Sequence, residues 1–319
     1  MQRGLLGGLK GCGGGELVAA IDSDLNAAQR MAEELGGQPF TSFQAALEVA
    51  DFDSVFVATP GFLHADNVVE AFKAGKHVFC EKPMAFTVAD CDRMIAAGEA
   101  AGKKLMVGHV LRYLPVFQKM LDLVESGEYG TPYAAEITRT WEGWGGSHRS
   151  WRDLKTQAGG ILYEVSIHEL DFMRCLMGNA VRVSAEQRRT GVVPADYNDV
   201  VQVAVGFERG QGVMTALLSS ALGYYDGRVW LTEGFFWFDM SQGTLVLKKR
   251  GGEQQKLSTA DFSADYEPGV QREVREFVEA VLEDKPCAIP GSEGRANIEV
   301  CEAADLSAEI GRAACRERV

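Results

Sequence analysis

With 319 residues, 46% of them apolar and 24% charged, the chain has the make-up of a soluble globular protein long enough for two domains with separate cores. A net charge of -13 argues against a nucleic-acid surface, which needs a basic patch. No apolar run approaches the roughly 18 residues of a membrane-spanning helix, and no leader of charged, apolar and small residues opens the chain.

Residues 1–10 read as a short Gly- and Leu-rich helix, followed by a loop over 11–15. Residues 17–21 (LVAAI) form a continuous apolar run ending in Asp22-Ser23-Asp24, a buried strand with an acidic tip. Asp24 suits the N-cap of a helix over 25–35, and a second helix follows residues 41–43 as far as Val49. Residues 54–58 (SVFVA) give the next buried strand, closed by Thr59-Pro60-Gly61. A helix over 64–74, a strand over 77–80, a helix over 88–101 and a strand over 104–107 complete the alternation. The pattern predicts a Rossmann-like α/β fold with a parallel, doubly wound sheet.

After about residue 120 the rhythm changes. Strands are expected over 133–139, 182–190, 200–207, 212–220, 228–232, 235–239 and 244–249, with a hairpin turn at 208–211. Helices are expected over 160–177, 271–282 and 295–308. This half reads as an α+β domain with a mostly antiparallel open sheet. The domains divide at 1–112 and 113–319, and the sheet's exposed face is a natural oligomer surface.

The stretch GKHVFCEKPMAFTVAD, residues 75–90, ends its strand on Glu81-Lys82-Pro83. That places Lys82 at the carboxyl end of a parallel strand, where open α/β sheets bind ligands. Alone, it fits a surface lysine in a strand-to-helix loop as well. In the helix over 160–177, Glu164, His168 and Asp171 stand at i, i+4 and i+7 on one stripe, beside a separate apolar face. That stripe is either solvated or functional; His168, with an ordinary pKa near 6.5, suits proton transfer. Gly159-Gly160 lets other backbone approach the helix start.

Asp22, at a strand end in a βαβ pattern, suits an adenosine ribose and disfavours a 2′-phosphate; a loop-capping role is the alternative. The glycines at 11–15 precede a strand instead of following one, so they are not the phosphate loop. The first strand and its fingerprint are therefore expected upstream of residue 1. His64 stands between a cofactor-side and a structural role, while His109 and His148 are candidates for a pocket wall. Seven scattered cysteines show neither metal-like spacing nor a disulfide framework, which fits reduced thiols in a cytoplasm. No histidine or cysteine spacing matches a metal site, and there is no G-x-S-x-G elbow.

Together these residues resemble the Gfo/Idh/MocA family of glucose–fructose oxidoreductases and inositol 2-dehydrogenases, from about Glu16 to about Ala308. The resemblance rests on ATPGFLHADNVVEAFKAGKHVFCEKP (58–83), GHVLRYLP (108–115) and GGILYEVSIHELD (159–171). Leu114 stands where the family has Asn, and Glu164 where it has Asp. The resemblance implies a hydride transfer between a sugar or cyclitol carbon and the nicotinamide of NAD, or less readily NADP, without a metal. His168 would take the hydroxyl proton, Lys82 would stabilise the oxygen, and Glu164 would orient His168 or a neighbouring hydroxyl. Ser23, Thr59, Pro60, His64 and Glu81 join Asp22 and Lys82 on the cofactor side. Arg112, Tyr113, Trp151, Arg152 and Asp171 line the substrate side. The Lys82–Pro83 bond is expected to be cis, as it often is in the family. A homodimer or homotetramer through the C-terminal sheet is implied. An NAD-dependent glycosidase and a non-catalytic sugar or nucleotide sensor are the other readings. The tail 309–319 (EIGRAACRERV) reads like translated adapter sequence rather than protein.

Overall fold

The computed structural model describes Gly8 and residues 14–143 and 151–316. Gly8 is helical; the rest of the expected first helix, loop residues 11–13 and His148 lie outside the described residues. The first half alternates strand and helix: β1 (Ala19–Ile21), α1 (Leu25–Leu35), β2 (Gln38–Phe40), α2 (Phe43–Val49), β3 (Ser54–Val57), α3 (His64–Lys73), β4 (His77–Glu81), α4 (Val88–Ala101) and β5 (Leu105–Gly108). Every pairing here is parallel, in two sheets, β1–β2 and β3–β4–β5. β4 is the central strand of the second sheet, and its Val78, Phe79 and Cys80 are fully buried. That is the environment an unbroken apolar run anticipates.

Local signals set the helix limits. The Asp24 carboxylate accepts the Asn26 N–H at the start of α1. The Thr87 hydroxyl accepts the Asp90 N–H at the start of α4, and Gly102 ends that helix in the left-handed conformation. Next comes α5 (Pro115–Glu125), which the sequence reading does not contain. It opens on Pro115, tolerated at a first turn, and buries Val116, Phe117 and Met120.

The second half holds β6 (Pro132–Glu142), α6 (Lys155–Ala158), a π-helical turn (Leu162–Ser166), α7 (Ile167–Met177), β7 (Ala180–Arg188), β8 (Val200–Phe207), β9 (Gly210–Leu217), β10 (Ser219–Leu231), β11 (Gly234–Asp239), β12 (Thr244–Lys249) and β13 (Gln254–Ser258). These strands form one eight-stranded sheet in the order β13-β12-β11-β10-β6-β9-β8-β7, antiparallel except for β6 beside β9. β10 begins nine residues before the expected start at 228, because its first part is held by pairing with β6 rather than by an apolar pattern. β13 was not expected, since its one apolar residue, Leu257, leaves no alternation to read.

α7 lies on the inner face of this sheet, where Phe172 meets Phe117 edge-on at 4.8 Å. After α8 (Thr259–Phe262) the chain returns to the parallel sheet. α9 (Gly269–Leu282) sets Phe277 against Phe56 and Phe79, at 5.3 and 5.7 Å. α10 (Gly291–Arg316) packs on α4 and β5 and also on α7 and β7, so one helix touches both halves. It continues as far as residue 316, through most of the segment read as an artefactual tail. Among the described residues no helix is long and apolar enough to cross a membrane.

Candidate active site

Lys82 follows the last residue of β4, and its peptide bond to Pro83 is cis. The side chain is not a surface lysine: the residue is 4% exposed. Its amide N–H donates to Glu81 Oε2 at 3.1 Å. Its Nζ donates to the carbonyl oxygen of Glu164 at 2.6 Å and lies 3.7 Å from Glu164 Oε2. Burial lowers the ammonium pKa, while Glu164 and then Glu81 pull it back up.

The helix that meets Lys82 starts abruptly. Gly159 and Gly160 have φ of 74° and 108°. A Cβ on Gly159 would fall 2.9 Å from Tyr163 Cβ and 3.0 Å from the Phe86 ring. What these glycines admit is therefore a side chain, not the second backbone expected. The π-helical turn then carries the chain into α7, and Glu164, His168 and Asp171 all meet residues of the parallel-sheet half. None forms a solvated stripe: Glu164 and Asp171 are buried and His168 is half-buried.

Glu164 accepts from Arg152 Nε at 2.9 Å as well as facing Lys82. Its partners in the fold are two cations, where His168 or a neighbouring hydroxyl was expected. His168 stands edge-on to His109, ring centroids 6.2 Å apart, and its buried Nδ1 has no hydrogen-bond partner. Burial, then the positive charge of Lys82, then His109 and Arg139 hold its pKa well below 6.5.

Behind this pair lies a largely buried network. Asp171 accepts Arg112 Nε and Nη2 at 2.7 and 2.6 Å, and Asn297 Nδ2 at 2.8 Å. Burial opposes its ionisation, but His109, Arg112 and Asn297 prevail and hold the pKa below the usual carboxylate range. Asn297 Nδ2 also reaches His109 Nε2 at 3.1 Å, and Asn297 Oδ1 accepts from Arg174 at 2.9 Å. Burial pushes His109 down to about 4, so its imidazole is neutral. The Tyr113 hydroxyl donates to Glu276 at 2.6 Å. Arg112, Tyr113 and Asp171 were expected on the substrate side. Each has a protein partner, with Asp171 and Tyr113 buried, and Asp171 lies 4.0 Å from His109 Nδ1. Arg152 reaches Glu164, and its guanidinium lies 4.2 Å from the Trp151 ring.

The cofactor-side candidates gather at the carboxyl ends of the parallel strands. Asp22, beyond β1, accepts the Asp24 N–H on Oδ1 at 2.9 Å; among the described residues its Oδ2 is not engaged. Ser23 beside it is exposed. Thr59 is exposed and accepts from Asn67 at 3.0 Å, with Pro60 next to it. The buried His64 ring spans the carbonyls of Thr59 and Pro83, at 2.8 and 2.7 Å, and so ties the end of β3 to the end of β4. Burial lowers its pKa, and the two carbonyl acceptors oppose that. Glu81 is pushed up to about 7 by burial, against the charge of Lys82. An acceptor carboxylate at one strand tip, a pinned strand-end turn and a lysine at the next tip fit a dinucleotide laid across the strand ends. Among the described residues no group of three His, Cys, Asp or Glu side chains could hold a metal ion.

Residues 5–109 match the NAD-binding Rossmann model of the Gfo/Idh/MocA oxidoreductases, and residues 117–246 match the C-terminal domain model of the same family. The chain belongs to the Gfo/Idh/MocA family. It is 29% identical over 287 residues to the uncharacterized oxidoreductase YrbE of Bacillus subtilis, covering 85% of this chain and 80% of that one. It is 28% identical over 317 residues to the myo-inositol 2-dehydrogenase of Thermotoga maritima, covering 95% and 92%. The solved aldose-aldose oxidoreductase of Caulobacter crescentus superposes with a TM-score of 0.85 at 26% identity, covering 97% of this chain and 94% of that one.

Two parts of this Gfo/Idh/MocA site escape sequence reasoning. Asn297 interrupts the apolar stripe of α10 that continues through Cys301, Ala304 and Ala308, and a polar residue in such a stripe was the available signal. Arg139 continues the inward face of β6 after Ala135 and Ile137, and donates to the fully buried Glu169 at 2.9 Å. A charge on the core face of a strand was the signal there.

Proposed function

We propose that this protein is an NAD-linked oxidoreductase that moves a hydride between a hydroxyl-bearing carbon of a sugar or cyclitol and a nicotinamide ring. One observation carries the reading: Lys82, at the tip of β4, is locked onto the backbone of the helix that carries His168. A cation thereby stands near an imidazole whose pKa burial and that cation both lower. The names of the Thermotoga and Caulobacter relatives agree with a sugar or cyclitol substrate.

When bound, nicotinamide supplies the hydride acceptor. Asp22, Thr59, Pro60, His64 and Glu81 would hold or frame the dinucleotide, with Ser23 at the ribose end. The carboxylate of Asp22 favours NAD over NADP by repelling a 2′-phosphate. His168, kept neutral at pH 7, takes the hydroxyl proton as the C–H bond breaks. Lys82 keeps its ammonium beside Glu164 and donates to the same oxygen, so the charge that develops there meets a fixed donor. Glu164, tied to Arg152, maintains Lys82 in the charged form. A division at 1–112 and 113–319, a cytoplasmic location and self-association through the outer face of the large sheet complete the proposal. On that face Val213 is exposed, and Trp230 and Phe235 pair at 5.8 Å.

The test is NADH formation on a panel of inositols and aldoses, with an NAD titration alongside. His168→Ala is expected to abolish turnover while NAD still binds. Turnover equal to that of the unchanged protein would remove His168 from the reaction.

A further inference from the structure

We propose that Arg139 anchors an anionic group of the substrate, so that the sugar or cyclitol preferred here carries a carboxylate. This subsite rests on the hydride-transfer reading and names the substrate class within it. Ala135 and Ile137 of β6 face the core, and period-two alternation directs Arg139 and Trp141 to the same side. An arginine on that face needs partners, and it has an unusual set.

Its guanidinium lies 4.7 Å from the Trp141 ring and 4.6 Å from the ring of Tyr225, its cross-strand neighbour on β10. Two flanking rings fix the plane of the group and leave its in-plane N–H edge as the donor surface. Among the described residues the guanidinium donates only from Nη1, to Glu169 Oε1, and the side chain is 25% exposed. Most of its five donors therefore remain for a ligand, in the fork that matches a carboxylate.

Position ties this arginine to the reacting centre. Glu169 is the residue after His168, so the helix that presents the imidazole also carries the carboxylate that holds Arg139. The positive charge of Arg139 is felt by both His168 and Lys82. A carboxylate would meet the open edge of the Arg139 guanidinium, whereas a neutral sugar offers it no charged partner.

The experiment compares matched pairs, D-glucuronate with D-glucose and D-galacturonate with D-galactose, at saturating NAD. The acid is expected to have the higher kcat/KM, and rising NaCl to erode its advantage. Arg139→Gln is expected to cut the acid-to-neutral ratio of kcat/KM by about tenfold or more, with Arg139→Lys in between. A ratio unchanged in Arg139→Gln, or neutral sugars preferred at every salt concentration, overturns the proposal and leaves Arg139 as the counter-ion of Glu169. Should neither class be oxidised, the hydride-transfer reading falls by itself. Calorimetric titration of the same acids and sugars then decides the subsite, and acids binding no tighter than sugars overturn it.

Discussion

A buried ammonium and a half-buried imidazole restrain each other's protonation, and the pH dependence of the proposed reaction follows from that. Desolvation lowers the pKa of His168, and the charge of Lys82 lowers it further. Oxidation of a hydroxyl needs the neutral imidazole. A lowered pKa keeps that form populated as pH falls through 6.5, so the acid limb of kcat/KM is expected well below 6.5 rather than at it. Lys82 is needed charged, and burial lowers its pKa too, against Glu164 and Glu81. The alkaline limb is therefore expected below the 10.5 of a free lysine. A pH profile of NADH formation at low substrate concentration reads both limbs. An acid limb centred at or above 6.5 would show that the proton acceptor is not this imidazole.

At the scale of elements, the site depends on how the helix bearing Glu164 and His168 begins. Gly159 combines a φ of 74° with a Cβ position 2.9 Å from Tyr163 Cβ and 3.0 Å from Phe86. Gly159→Ala therefore adds left-handed strain of about 1–2 kcal/mol to overpacking of about 1–3 kcal/mol. Urea unfolding is expected to show a loss of about 2–5 kcal/mol; a loss below about 1 kcal/mol would mean that the turn relaxes freely. The glycine pair was legible in the sequence, but not what it admits. The same contrast holds across the fold. α1 and α4 fall at their expected limits because Asp24, Thr87 and Gly102 act locally. α5 is short and opens on a proline; β13 is a polar edge strand. The first part of β10 is defined by its register with β6, which no local pattern records. Lys82 meets Glu164, and His168 lies near enough to feel the lysine's charge; the family resemblance implied this grouping, whereas the local patterns left it open. Arg139 and Asn297 were missed because a single polar residue on an apolar face acquires meaning only once its partners are known.

Over the whole molecule, the reacting groups sit where the parallel sheet, α7, α9 and α10 converge, and burial there is deep enough to store carboxyl protons near neutrality. Glu81 ends β4 with its pKa raised to about 7 by burial, partly offset by Lys82 and by the Lys82 N–H. Glu273 of α9, also buried, is raised by burial and then by the charge of Glu81. In the unfolded chain Glu81 titrates at about 4.5. Between about 4.5 and 7 the folded protein thus holds a proton that the unfolded chain has released. The stabilisation linked to Glu81 is fully present below 4.5 and is lost as pH rises through about 7. His109 works in the opposite sense. Its folded pKa of about 4 lies below the ordinary 6.5, so the unfolded chain takes up the proton first and stability falls on acidification through that window. The two partly cancel in the unchanged protein, and Glu81→Gln separates them. Relative to that variant, the unchanged protein is expected to lose about 3 kcal/mol of stability as pH rises from 4.5 to 7. Denaturant titrations of both proteins at four or five pH values measure the difference directly. A difference that stays flat across the window would mean that Glu81 is ionised in the fold, and that Lys82 sits between two carboxylates rather than beside one.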